Sequence, residues 1–262
     1  MLRFYKPARG KDIHQRGYFS YITESVVHLH NLHLNNSDEE IILYHDLCDI
    51  RGYGKGNMFD TCFTQDKNDY ITHKDQYSDI EKVNYITTLD AYNPKTFNQK
   101  DIEITESIIK KYFILNDEMK KIFSSRHSEI DFSKTIGFHR RSTDMEIVHH
   151  VKKIELNNIF TILEKEDFEN IFLMCDNIKD LEEFKNRYGN RLITFDDMTT
   201  SKESSEPFFK IGNEEDLVKK HIQEIVFGAF TLGMTKKLIC TKSNLSSFSI
   251  FSNSKLNYTI LN

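Results

Sequence analysis

Apolar and polar positions along this 262-residue chain follow two regimes that meet near residue 130. Residues 1–16 are basic and show no period, so irregular structure is expected there. Ile22, Val26, Val27, Leu29 and Leu32 then recur at helical spacing. With Thr23 and Ser25 as early N-terminal signals, they predict a helix over 21–34. EIILY at 40–44 reads as a buried strand with His45 and Asp46 at its end. RGYGKGN at 51–57 is a glycine-rich loop, but it lacks the spacing of a phosphate-binding P-loop. High polarity over 59–98 predicts short strands and loops. Ile108, Ile109, Tyr112, Phe113, Leu115, Met119 and Phe123 predict one helix over 105–124, and 126–133 reads as a linker.

Beyond the linker, short apolar runs alternate with helical patterns. Strands are predicted at 135–138, 170–174, 191–195, 237–240 and 258–261. Helices are predicted at 154–165, 178–188 (stopped by Gly189) and 214–233, with a short helical segment before the last strand. A polar loop spans 196–207. Strands separated by helices of this length imply a parallel sheet with crossover connections. The expected fold class is α/β, with one domain over 1–130 and a second over 131–262.

Composition narrows this picture. A 39% hydrophobic and 12% aromatic content supports a real core. A net charge of −5 without a basic stripe excludes a nucleic-acid binder. Cys48, Cys62, Cys175 and Cys240 form no C-x-x-C pair, which points to a reducing compartment rather than a disulfide framework or zinc site. The N-terminus has no apolar signal region, and no apolar run reaches the ~18 residues of a transmembrane helix. A cytoplasmic protein, free or peripheral to a membrane, is expected.

Candidate chemistry gathers at strand ends, where open α/β sheets place their ligands. KTIGFHRRSTDME at 134–146 passes from an apolar run directly into His139, Arg140, Arg141, Ser142, Thr143 and Asp144. A guanidinium fork suits phosphate oxygens, so Arg141 is a candidate anion ligand. Asp144 would hold that arginine or cap the next element, and His139 would donate to a ligand oxygen. Arg140 should face the other way if the chain is still extended. A second strand end carries Thr241, Ser243, Asn244, Ser246 and Ser247. These form either an anion cradle or a plain helix cap. Asp176, closing FLMCD, either meets a ligand hydroxyl or caps the next helix. Asp196 and Asp197 form either a divalent-metal pair or a solvated turn, the latter favoured by the polar loop after them. Of His28, His30 and His33 only the last two share a helix face, so they are read as structural and no metal site is expected.

The motif His139-x-Arg141-x-Thr143-Asp144 resembles the first motif of the metal-independent fucosyltransferase superfamily. The resemblance extends through IFLMCDNIKDLEEFKNRYGNRLI at 171–193, similar to that family's strand-TDD-helix segment, and LICTKSNLSSFS at 238–249, similar to its serine-rich third motif. GYFS at 17–20 resembles the glycine turn that opens the family's first domain. The resemblance implies a GT-B fold, two Rossmann-like domains facing a central cleft. It also implies an inverting transferase that uses GDP-fucose without a metal cofactor and a glycan or protein acceptor. It assigns Arg141 to the β-phosphate. His139, Thr143, Asp144, Asp176, Thr241, Ser243, Asn244, Ser246, Ser247 and Gly17 are assigned to the donor. Glu146, His149 and His150 are candidate bases, although the first domain could supply the base instead. Two departures stand out. Ser142 replaces a second arginine usual in the α1,6 enzymes. The acid that would contact guanine falls near Gly228, with only Glu224 close by. A different nucleotide-sugar donor, or a non-catalytic nucleotide-sugar or glycan binder, remains an alternative.

Overall fold

A computed structural model describes residues 2–5, 18–35, 40–43, 45, 58–65, 93–143, 154–195, 198, 200 and 215–261. The chain divides into two compact units. One comprises Met1–Ser125 with Gly212–Val226, the other Arg126–Ile211 with Phe227–Asn262.

In the first unit, β1 (Leu2–Tyr5) pairs in parallel with β2 (Glu40–Leu43), so part of the N-terminal stretch expected to be irregular is a strand. Helix α1 (Tyr18–Leu34) buries Ile22, Val26 and Leu29 along one face. It begins three residues earlier than its apolar pattern, because Tyr18 and Phe19 are themselves buried. The single helix expected over 105–124 is two helices, α2 (Gln99–Tyr112) and α3 (Asp117–His127), separated by the two-residue strand β4 (Ile114–Leu115). The break has a non-local cause. β4 pairs antiparallel with β3 (Phe63–Thr64), and the Asn116 amide donates to the Asp60 and Thr61 carbonyls at 2.9 and 3.1 Å. Its Oδ1 then accepts from Met119 N–H at 2.9 Å and starts α3. Phe59, Phe63 and Phe113 close the core around this junction. His30 bonds Thr105 at 3.2 Å. Among the described residues no His/Cys/Asp/Glu group could hold a metal ion.

The second unit is a five-stranded parallel sheet of β5 (Thr135–Arg140), β6 (Asn170–Cys175), β7 (Leu192–Ile193), β8 (Lys237–Thr241) and β9 (Tyr258–Leu261). Its spatial order is β7-β6-β5-β8-β9. Counting strands from β5, this is the 3-2-1-4-5 order of a doubly wound sheet, whose direction of winding reverses between β5 and β8. Side-chain alternation along β5 sorts the two faces. Ile136 and Phe138 join Ile159, Phe160 and Leu163 of α4 (Leu156–Leu163) and Leu181 and Phe184 of α5 (Ile178–Tyr188) in one core. Phe138 stacks on Phe184 at 5.2 Å. On the other face lies the C-terminal part of α6 (Glu215–Met234), admitted by two glycines. A Cβ on Gly137 would come within 2.8 Å of Thr235 Oγ1, and one on Gly228 within 2.4 Å of Met174 Cε. Helix α7 (Asn244–Phe251) follows β8. No described helix is long and apolar enough to cross a membrane.

Candidate functional site

The strand expected to stop at Phe138 continues through Arg140, and this places His139 and Arg141 at the carboxyl end of β5, beside that of β8. The two ends are locked together. Arg141 N–H donates to Thr241 Oγ1 at 2.9 Å, and His139 Nδ1 lies 2.6 Å from Ser246 Oγ and 3.3 Å from Ser243 Oγ. Ser243 is the N-cap of α7 and accepts from Ser246 N–H at 3.0 Å, while its carbonyl accepts from Ser247 N–H. The capping and cradle readings of these serines are therefore compatible. Ser243 caps α7, and the first turn of that helix stands next to His139, with the positive end of its dipole toward the strand ends. Asn244 is the first residue of α7. His139 is 6% exposed. Burial, reinforced by the Arg141 charge, lowers its pKa to about 3, so it is neutral near pH 7.

Asp176, at the end of β6, serves the loop after β5. Its Oδ1 accepts from Ser142 N–H at 2.9 Å. Its Oδ2 accepts from Thr143 Oγ1 at 2.8 Å and Thr143 N–H at 3.3 Å, and lies 3.6 Å from Arg141 Nε. Asn177, not Asp176, caps α5, accepting from Lys179 N–H at 2.9 Å. Arg140 faces the opposite side of the sheet, as strand alternation requires, but it is not solvated. It is 2% exposed, and its Nε donates to Asp180 Oδ2 at 2.7 Å. Ser142 Oγ donates to the same oxygen at 2.6 Å. Arg140, Asp180 and Ser142 are a buried polar cluster that the motif reading missed. A signal was available, because a buried arginine needs a carboxylate and Asp180 is one helical turn beyond Asp176. The Arg141 side chain keeps 30% of its surface exposed.

The structure thus brings together His139, Arg141, Thr143, Asp176, Thr241, Ser243, Asn244, Ser246 and Ser247. Glu224 belongs to the first unit, buried, with Oε2 3.7 Å from His221 Nδ1. Gly17, Asp144, Glu146, His149, His150, Asp196 and Asp197 lie outside the described residues.

A doubly wound parallel sheet with a guanidinium and a capped helix at its switch point defines a class of α/β fold that takes ligands outside the strand ends. Within that class, the chain has the fold of NodZ, an α1,6-fucosyltransferase. The match to the structure of NodZ soaked with GDP-fucose has a TM-score of 0.56 at 11% identity and covers 97% of this chain and 93% of that one. The match to NodZ from Bradyrhizobium has a TM-score of 0.55 at 11% identity and covers 96% and 93%. No protein-family profile and no curated protein matches the sequence.

Proposed function

We propose that the chain is an inverting glycosyltransferase that moves fucose from GDP-fucose to a hydroxyl of a glycan or protein acceptor. The observation that carries this reading is Arg141 at the switch point, beside the capped start of α7, in a fold shared with a fucosyltransferase. The donor diphosphate would lie against Arg141 and the first turn of α7, and the donor contacts proposed are His139, Thr143, Asp144, Asp176, Thr241, Ser243, Asn244, Ser246 and Ser247, together with Gly17 and Glu224. The domain assignment proposed is 1–130 for the acceptor side and 131–262 for the donor side, in a GT-B arrangement. The parallel β1–β2 pair supports a Rossmann-like first domain.

The acceptor hydroxyl attacks the anomeric carbon from the face opposite GDP, and Glu146 or His149 takes its proton. Charge accumulates on the departing diphosphate as the glycosidic bond breaks. Arg141 therefore binds the transition state more tightly than the ground state. Arg141→Ala is expected to lower turnover by about 10²- to 10³-fold, more than it weakens donor binding. Arg141→Lys should recover little, because a point charge does not reproduce the fork. Full turnover in Arg141→Ala, measured with GDP-fucose and an acceptor panel, would sink the reading. Because fixed protein charge is assigned this task, turnover should persist in EDTA. Loss on chelation with recovery in Mn²⁺ or Mg²⁺ would implicate Asp196 and Asp197 instead.

One observation favours a different donor base. Met174 occupies the space beside Gly228, where the family resemblance would put an acid for guanine. Thermal-shift titration with GDP, ADP and UDP decides which nucleotide is held.

A further inference from the structure

The hydrogen bonds around His139 determine where its single ring proton sits. Ser246 Oγ lies 2.8 Å from the Thr241 carbonyl oxygen, which can only accept, so the one hydroxyl proton of Ser246 is directed there. His139 Nδ1 is 2.6 Å from the same Ser246 oxygen. With that hydroxyl proton committed, Nδ1 must be the donor in this contact. Ser243 Oγ, which accepts from Ser246 N–H, supports the arrangement from 3.1 Å by donating to a remaining lone pair of Ser246 Oγ. The neutral ring then carries its proton on Nδ1, and Nε2 keeps its lone pair. Among the described residues Nε2 meets no partner. The Arg141 guanidinium nearby opposes a second proton on the ring.

We propose that Ser246 is a positioning residue that holds His139 in the Nδ1–H tautomer, so that Nε2 offers an acceptor lone pair at the sheet's switch point and takes a hydroxyl or N–H group of the ligand, not an anionic oxygen. Arg141 and His139 then divide one ligand between them, the arginine reading its phosphate and the histidine a neutral donor group next to it. This reverses the polarity expected from the sequence, in which His139 donates to a ligand oxygen. The ligand half of the proposal rests on the nucleotide-sugar reading, and the tautomer half does not.

The test begins on the full chain without ligand. Histidine-selective ¹⁵N labelling and long-range ¹H–¹⁵N correlation report which ring nitrogen is protonated, and His139→Asn identifies the His139 signals by their loss. The expected result is a pyrrole-type Nδ1 and a pyridine-type Nε2. Ser246→Ala should shift the ring toward the Nε2–H form, and Ser246→Thr, which keeps the hydroxyl, should retain the wild-type pattern. A wild-type Nε2–H or doubly protonated ring at pH 7 overturns the tautomer assignment, whether or not Ser246→Ala folds. The second arm compares GDP with inorganic pyrophosphate. His139→Asn should weaken GDP about three- to tenfold, the effect of one ordinary hydrogen bond, and leave pyrophosphate unchanged. Equal losses for both would make His139 an anion contact and overturn the assigned polarity. Wild-type protein that binds pyrophosphate but not GDP would remove the nucleotide reading and the ligand half with it, while the nitrogen shifts still decide the tautomer.

Discussion

Two adjacent arginines carry opposite assignments. Arg140 is enclosed with Asp180 beneath the sheet, whereas Arg141 stands partly exposed at its end. Removing one partner of a buried ion pair leaves the other charge uncompensated, at a cost of about 3–5 kcal/mol. Arg140→Ala is therefore expected to lower unfolding stability by that amount in urea titration. Arg141→Ala should cost less than about 1 kcal/mol while abolishing most turnover. Arg140 is consequently unsuitable as a neutral kinetic control, although its position on the far face of β5 first recommends it. Arg187, exposed and paired with Glu164, is the better one. Similar stability losses at positions 140 and 141 would show that the burial contrast does not govern the energetics.

At the scale of elements, close helix–sheet and helix–helix packing depends on three glycines whose neighbours differ in compliance. A Cβ on Gly137 meets Thr235 Oγ1 and Leu232 Cδ2 at 2.8 and 2.9 Å, and Thr235 is held by its own hydrogen bond to the Leu232 carbonyl. A Cβ on Gly233 meets the Ser249 carbonyl oxygen, a backbone atom, at 2.9 Å. A Cβ on Gly228 is met first by the flexible side chain of Met174, at 2.4 Å from Cε and 2.5 Å from Sδ. Overpacking against stiff neighbours costs about 1–3 kcal/mol. Alanine is favoured over glycine within a helix by about 1 kcal/mol, which offsets the displacement of a flexible methionine side chain. Thermal denaturation should therefore rank Gly137→Ala and Gly233→Ala as clearly destabilising and Gly228→Ala as near neutral. The reverse order would mean that α6 is free to move away from the sheet.

At the scale of the whole molecule, each unit buries a neutral histidine. In the first unit His45 is fully buried, with Nε2 2.8 Å from Ser25 Oγ and its ring edge-on to Tyr18 and Phe59. Burial lowers its pKa to about 3, as it does for His139 in the second unit. Unfolded histidine binds its proton near pH 6.5. Below that value the unfolded chain therefore holds more protons than the native one, and stability falls with decreasing pH until the folded pKa is reached. Above pH 6.5 the two residues contribute no pH dependence. At pH 5 each is expected to have removed on the order of 2 kcal/mol. Urea midpoints at pH 7.5 and 5.0 measure this loss, and His139→Asn should reduce it by one histidine's share. A flat profile between these values would contradict neutral burial.

Local patterning sufficed for what depends on neighbours in sequence. The alternation of short apolar runs with 3.6-residue periodicity specified the strands and helices of the parallel sheet. Strand alternation put Arg140 and Arg141 on different faces, and the abrupt polar ends of the apolar runs marked His139, Arg141, Asp176 and Ser243 as site candidates. Features set by contacts across long separations were not legible. The residue patterns at 114–116 are compatible with a continuous helix, and only the pairing of β4 with β3 and the bonds from Asn116 to Asp60 and Thr61 break it. Alternation does not say which face is dry, so the burial of Arg140 waited on α5 bringing Asp180 over it. Pairing order is likewise non-local. Residues about a hundred positions apart meet where β8 lies against β5, and that neighbour relation creates the switch point, joins Ser246 to His139 and decides which ring nitrogen carries the proton.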